Sequence, residues 1–147
     1  MVVLKASHLL DGQSWWVDTM TYKFDISHSE SMIQVRVSGT IDGAGIRKLW
    51  AAIAEACDSY DCYDIFGVSE LDEPFSITDA FNHHEIFTEV GITLRHRIAW
   101  VNVDTESREI LKFTETVLVN RSKLNGGLFP STEEARLWLQ KRGDSQA

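Results

Sequence analysis

From residue 20 onward the chain switches repeatedly between two hydrophobic periods, and that switching limits what it can fold into. Residues 21–27 alternate, with Tyr22, Phe24 and Ile26 on one face and Lys23 and Asp25 on the other. Ile33, Val35 and Val37 alternate in the same way with Gln34, Arg36 and Ser38. Two period-2 runs joined by the short polar turn Ser29–Ser31 specify an antiparallel hairpin. Between Thr40 and Tyr60 the period becomes helical. Ile46, Leu49, Trp50, Ile53, Ala54 and Cys57 form one stripe at i, i+3, i+4, i+7, i+8 and i+11, behind an N-cap at Asp42.

The same logic runs to the end of the chain. Tyr63–Val68 is a short apolar run bounded by acids, as a buried strand requires. Pro74 interrupts the chain, and Ser76 with Asp79 makes a variant capping box for a helix running to about Val90, stopped by Gly91. That helix is expected to turn Ile77, Ala80, Phe81 and Phe87 inward. Arg97–Val103 is the expected central strand. Asp104 caps a helix carrying Ile110, Leu111, Thr114, Val117 and Leu118. Asn125–Phe129 is a strand after a Gly-Gly turn, and Ser131 with Glu134 is an S-x-x-E capping box for a last helix anchored by Ala135, Trp138 and Leu139. The order is β-β-α-β-α-β-α-β-α. Strands separated by helices pair in parallel, so the expected fold is α/β, a mixed sheet of about five strands with an antiparallel N-terminal hairpin.

The 147 residues suit one domain with a single core. Residues 1–19 lack clear periodicity beyond Trp15-Trp16 and read as an N-terminal extension. The domain is assigned to residues 20–142, with 143–147 as a tail. No apolar stretch reaches the ~20 residues needed to cross a bilayer, and Lys5, His8 and Asp11 break up the start as no signal peptide would be broken. A cytoplasmic location is expected, with Cys57 and Cys62 reduced. The net charge is −8. It is concentrated in residues 1–94, which hold 15 acids and 5 bases (−10), against 7 acids and 9 bases (+2) in residues 95–147. An acidic body repels nucleic acid and anionic lipid. It serves solubility, or a basic partner.

Several strings resemble the SpoIIAA-like, or STAS-like, domains of bacteria. They are VRVSGTID at the second strand and first long helix, RHRIAWVNV at the central strand, and FPSTEEARLWL at the last strand and helix. The resemblance covers residues 20–142. It implies a small domain related to anti-sigma-factor antagonists and, more loosely, to CRAL-TRIO lipid-binding domains. In true antagonists a serine in an Asp-Ser-Ser-Gly string opens the helix after the third strand and is phosphorylated. Here Ser69–Ser76 reads SELDEPFS, and Ser76 holds the equivalent place. Asp72, Glu73 and Asp79 surround it, so a phosphate there would meet like charge.

The residues that invite chemistry are few. His83 and His84 are adjacent, so about 100° of helix separates them and they do not share one ion; His84, near the Ala80–Phe87 stripe, suits a buried, satisfied histidine. The acids Glu70, Asp72, Glu73 and Asp79 lack the ordered spacing of a calcium loop. Gly43-Ala44-Gly45 is no phosphate loop. No catalytic group, metal or cofactor is therefore expected. The expected working edge is the loop after the first buried strand, at Ser69, Glu70, Leu71, Asp72, Phe75 and Ser76, because ligands of open α/β sheets gather beyond the carboxyl ends of the strands. Leu71 and Phe75 are expected to stand exposed between acids, or Phe75 to fold inward as a staple. An enzyme is the weakest reading, to be revived only by convergent polar groups with perturbed pKa values; two functions stand ahead of it. One is a non-enzymatic regulatory module binding a protein partner, with a homodimer compatible. The other is a small-molecule or lipid-binding domain, which needs a pocket of several hundred Å³ lined by Phe75, Phe81, Phe87 and Trp100.

Overall fold

The computed structural model describes the backbone of residues 3–9 and 12–145 and the side chains of residues 16–141. The strands are β1 (Val3–Leu9), β2 (Gly12–Asp18), β3 (Tyr22–Ser29), β4 (Met32–Gly39), β5 (Asp64–Leu71), β6 (Arg97–Asn102) and β7 (Asn125–Phe129). The helices are α1 (Gly43–Tyr60), α2 (Ile77–Phe81), α3 (His83–Val90), α4 (Arg108–Asn120) and α5 (Thr132–Ser145). All seven strands form one sheet in sequence order. β1 to β4 are an antiparallel meander, and β4 to β7 are parallel. The mixed sheet and its hairpin are as expected; the strand number is not. Five strands become seven because residues 1–19, set aside as an extension, supply β1 and β2. β2 pairs with β3, and Val17 is buried in the core at 1% exposure. The adjacent tryptophans hide β2 from a period-2 reading.

Each parallel strand lies beside the one before it, always stepping the same way. Right-handed crossovers then place α1, α2–α3 and α4 on one face. The hairpin delivers its alternating side chains to that face: Phe24, Ile26, Ile33, Val35 and Val37 meet Ile46, Leu49, Trp50, Ile53 and Cys57 of α1. α1 starts as expected, with the Asp42 carboxylate accepting from Gly45 N–H at 2.9 Å. α5 follows the last strand and folds onto the other face, where Ala135 and Leu139 cover Phe66, Val68, Ala99 and Val101. Its capping box forms, with Ser131 Oγ accepting from Glu134 N–H at 3.2 Å. Among the described residues only Met32 of β2–β4 joins the cluster under α5 on that face. There Lys23, Asp25 and Arg36 are exposed, and Asp18 pairs across from Lys23 and Asp25 from Arg36.

Four local expectations fail for identifiable reasons. The helix expected from Ser76 to Val90 is two helices, broken at Asn82, whose backbone caps the first and opens the second. The break rotates Ile77 and Phe81 outward, to 70% and 42% exposure, instead of inward. It also selects His83 rather than His84 as the buried histidine. Asp104 does not cap a helix directly: α4 begins at Arg108, and Asp104 bridges instead, accepting from Ser107 N–H at 2.9 Å and from Leu71 N–H at 2.8 Å. Among the described residues no helix is long and apolar enough to cross a membrane.

Candidate functional site

The carboxyl ends of β5 and β6 are tied together by side chains. Trp100 Nε1–H donates to Ser69 Oγ at 3.0 Å, and Ser69 donates in turn to Asn102 Oδ1 at 3.1 Å. The Asp104 carboxylate closes the link by holding Leu71. Opposite Trp100 in the register stands Gly67. A Cβ there would lie 2.1 Å from the Trp100 ring, so glycine is what lets the indole lie across β5. The ring is braced by Trp50 at 5.6 Å between centroids, and Trp50 meets Phe87 edge-on at 4.6 Å.

Under this aromatic group lies an apolar cavity of about 80 Å³ between the sheet and α1, α3 and α4. Leu49, Trp50, Leu71, Phe75, Phe87 and Trp100 are among its walls. The half-buried wall residues all come from α4 or from β7 and its approach: Leu111, Glu115, Leu124, Gly127 and Leu128. The cavity therefore opens at the seam between α4 and the edge strand. Glu115 sits at that mouth. Its Oε2 accepts from Leu128 N–H at 2.8 Å, satisfying an edge-strand donor, and a Cβ on Gly127 would collide with that oxygen.

One polar ring reaches the interior. His83 is 5% exposed, stacks on Phe75 at 5.4 Å, and its Nδ1 lies 2.8 Å from the Asp79 carbonyl oxygen. Burial pushes its pKa down to about 4, against a smaller opposing pull from the Asp79 and Ala80 backbone, so the ring is neutral at pH 7. Elsewhere, burial raises the Cys57 thiol to about 12, with Cys62 adding to the shift, which removes it as a nucleophile at neutral pH. Among the described residues no three His, Cys, Asp or Glu side chains converge as a metal site requires.

The expected edge residues divide between two places. Ser69, Leu71 and Phe75 line the cavity. Glu70 is exposed on the opposite face of β5, and Asp72 and Ser76 are exposed in the loop and at the start of α2, where Ser76 Oγ accepts from Asp79 N–H at 3.0 Å. Leu71 and Phe75 do not stand exposed between acids: they are buried, Leu71 because β5 runs three residues further than its apolar run and Phe75 because it folds inward against His83. The pocket expected at several hundred Å³ is also smaller, because Trp50, Phe87 and Trp100 fill its centre, and Phe81 is outside it. Sequence reasoning missed Gly67, His83, Thr114 and Glu115 as wall residues. Gly67 carried a readable signal, a glycine inside an apolar strand; Glu115, on the polar side of its helix, carried none.

No protein-family model matches the chain, and no curated protein sequence does. A solved structure titled "The overall structure of SLC26A9" is similar, with a TM-score of 0.52 at 11% identity. The match covers 79% of this chain and 21% of that one, so this chain spans about a fifth of the protein it matches. The cytoplasmic part of SLC26A9 is a STAS domain. At this identity the likeness concerns the fold alone: the chain has a mixed α/β architecture of roughly STAS-like form.

Proposed function

We propose that the chain is a non-catalytic STAS-like module that binds a small apolar ligand in the cavity beneath Trp100. The observation that carries this is the cavity itself. Protein interiors are packed with few voids larger than a water molecule. An empty apolar volume of 80 Å³ forgoes about 2 kcal/mol of stability at roughly 24 cal/mol per Å³. It lies between the sheet and its helices, with a mouth between α4 and β7, and a concave, mostly apolar pocket is where small ligands are held. The size excludes an acyl chain: an engineered apolar cavity of about 150 Å³ holds benzene, and this one is about half that. The ligand is therefore smaller than benzene, a short branched or linear apolar group. The test uses xenon under pressure as probe. It should raise the thermal midpoint of the full chain, and Thr114→Leu, which fills the cavity from α4, should abolish that rise. No rise with the native chain, together with no carried ligand in native mass spectrometry, sinks the reading.

A second reading, recognition of a protein partner, is supported by the outer side of α2. Ile77 and Phe81 are exposed there, with the Arg121 guanidinium 5.3 Å over the Phe81 ring. Apolar side chains next to a cation suit an interface rim. Ile77→Ser with Phe81→Ser should leave the melt unchanged and remove bound partner or self-association, read by co-purification and light scattering. Unchanged association would end this reading.

A further inference from the structure

The helix over the cavity is attached unlike its neighbours. Leu111, Thr114, Glu115 and Leu118 stand at i, i+3, i+4 and i+7 on α4, the spacing of a face that a helix buries on its sheet. All four line the cavity, so that face meets a void where it should meet side chains. Among the described residues Leu118 alone of α4 is a buried member of the core cluster, with Ile110 and Leu111 packed half-buried against it. By contrast α1 sends Ile46, Leu49, Trp50, Ile53 and Cys57, among others, into that cluster. The start of α4 is also poorly secured. Ser107 holds the N-cap position, yet its hydroxyl accepts from no helix N–H. Ser107 is fully buried, and its Oγ has no hydrogen-bond partner. Such an atom costs the closed state stability, and water relieves it once that end opens. Within the helix, Thr114 and Thr116 donate back to Ile110 O at 2.7 Å and Lys112 O at 3.0 Å, contacts that slightly weaken and bend a helix.

A side chain fastens this helix to the edge of the sheet. Glu115 Oε2 accepts from Leu128 N–H across the mouth at 2.8 Å. Gly127 leaves room for that oxygen, which a Cβ would meet at 2.3 Å. The other side of the mouth is fixed, because β7 pairs with β6 from Asn125 to Phe129. Resting on the cavity reading above, we infer that α4 is a gate: it lifts from β7 to admit the ligand, the Glu115–Leu128 hydrogen bond is its latch, and an occupant of the cavity holds it closed. The coupling follows from the contacts. A ligand seated against Leu111, Thr114 and Leu118 supplies the dispersion contacts that this face of α4 lacks, and supplies them only while α4 is down. Lids are drawn from elements of low local stability, and the thin packing and the unpartnered Ser107 hydroxyl put α4 in that class.

Amide hydrogen exchange of the full chain by NMR, with and without xenon under pressure, tests the gate. The α4 amides and Leu128 N–H are expected to exchange through a partial opening, about tenfold or more faster than the inner turns of α1, and xenon should slow them. Glu115→Ala should speed both roughly fivefold to tenfold, as loss of one hydrogen bond to a carboxylate allows, and leave α1 unchanged. Glu115→Gln, which keeps an acceptor oxygen, should restore most of the protection. Lys112→Ala, which removes only the exposed ion pair to Glu115 at 3.3 Å, should exchange as the native chain does. Should Glu115→Ala not fold, the native exchange pattern with and without xenon still decides. If α4 exchanges only together with α1, or if Glu115→Ala leaves Leu128 N–H as protected as before, the gate is overturned, and xenon-induced shifts at the cavity wall then leave the cavity reading standing. Absence of xenon binding overturns the two together.

Discussion

Replacing Gly67 by alanine adds one methyl group and should be among the costliest small changes in this protein. The new Cβ would come within 2.1 and 2.2 Å of two carbons of the Trp100 six-membered ring, a separation no side chain tolerates. The indole has little freedom to retreat. Its N–H is fixed on Ser69 and its face is braced by Trp50. Overpacking of a dense core costs about 1–3 kcal/mol, and losing the buried Trp100–Ser69 bond adds about 1 kcal/mol. The expected loss is therefore roughly 2–4 kcal/mol. Urea unfolding measures it, read as a lower midpoint at unchanged slope. A partner variant isolates the cause. Trp100→Leu is strongly destabilising alone, but in the Gly67→Ala background the added methyl has no ring to strike. The two substitutions should then be less than additive by about 1–3 kcal/mol. A cost below about 0.5 kcal/mol for Gly67→Ala, or strict additivity, would refute the close approach of ring and strand.

Other consequences are as direct. Ile53 is fully buried between α1 and the sheet, so Ile53→Ala should cost about 2–5 kcal/mol in urea; an effect of surface size would remove α1 from the core. Deleting residues 1–19 removes Val17 and leaves β3 as an edge, which should weaken the domain by about 2 kcal/mol while keeping a cooperative thermal transition; loss of the transition would make β1–β2 essential to the fold. His83 carries a pKa depressed to about 4 in the folded chain against about 6.5 unfolded. Its contribution is intact above pH 6.5, and falls away as pH drops toward 4, by about 3 kcal/mol in all. The difference between native and His83→Phe stability at pH 7.5 and pH 4.5 reports it, and equal pH dependence of the two would show that His83 takes up its proton without hindrance.

What was legible in the chain was whatever rests on local pattern. The stripe from Ile46 to Cys57, the caps at Asp42 and Ser131, and the hairpin alternation each depend on neighbours a few residues away, and each is found in the fold. The failures occur where tertiary contacts override that pattern. Asn82 is of a type that favours caps, but with no glycine or proline beside it the break between α2 and α3 is not marked strongly enough to interrupt the helical pattern. The turn at Glu30 and Ser31 holds both residues at positive φ, 55° and 63°, without the Asn-Gly that normally signals such a turn. β2 was hidden because two adjacent tryptophans mask a strand that places Val17 in the core.

The cavity was illegible for a stronger reason, which also bears on what it is. No single segment contains it: Trp50, Ser69, Phe75, His83, Trp100 and Thr114 come from separate elements, brought together because successive crossovers put three helical layers on one face. The opposite face shows what the same strands do without that crowding. There Phe66, Val68, Ala99 and Val101 lie under one helix, α5, in a small, closed cluster. Two faces of one sheet thus differ in their finish. On the α5 side, small and medium side chains fill the gap under a single helix. On the other, a glycine admits an indole, the indole leans on a second indole, and a neutral histidine faces the space left beneath. Stability alone favours closing such a space with a larger aliphatic residue at Thr114. That the wall leaves this space unfilled, at a cost in packing, is the physical reason to look for a ligand there.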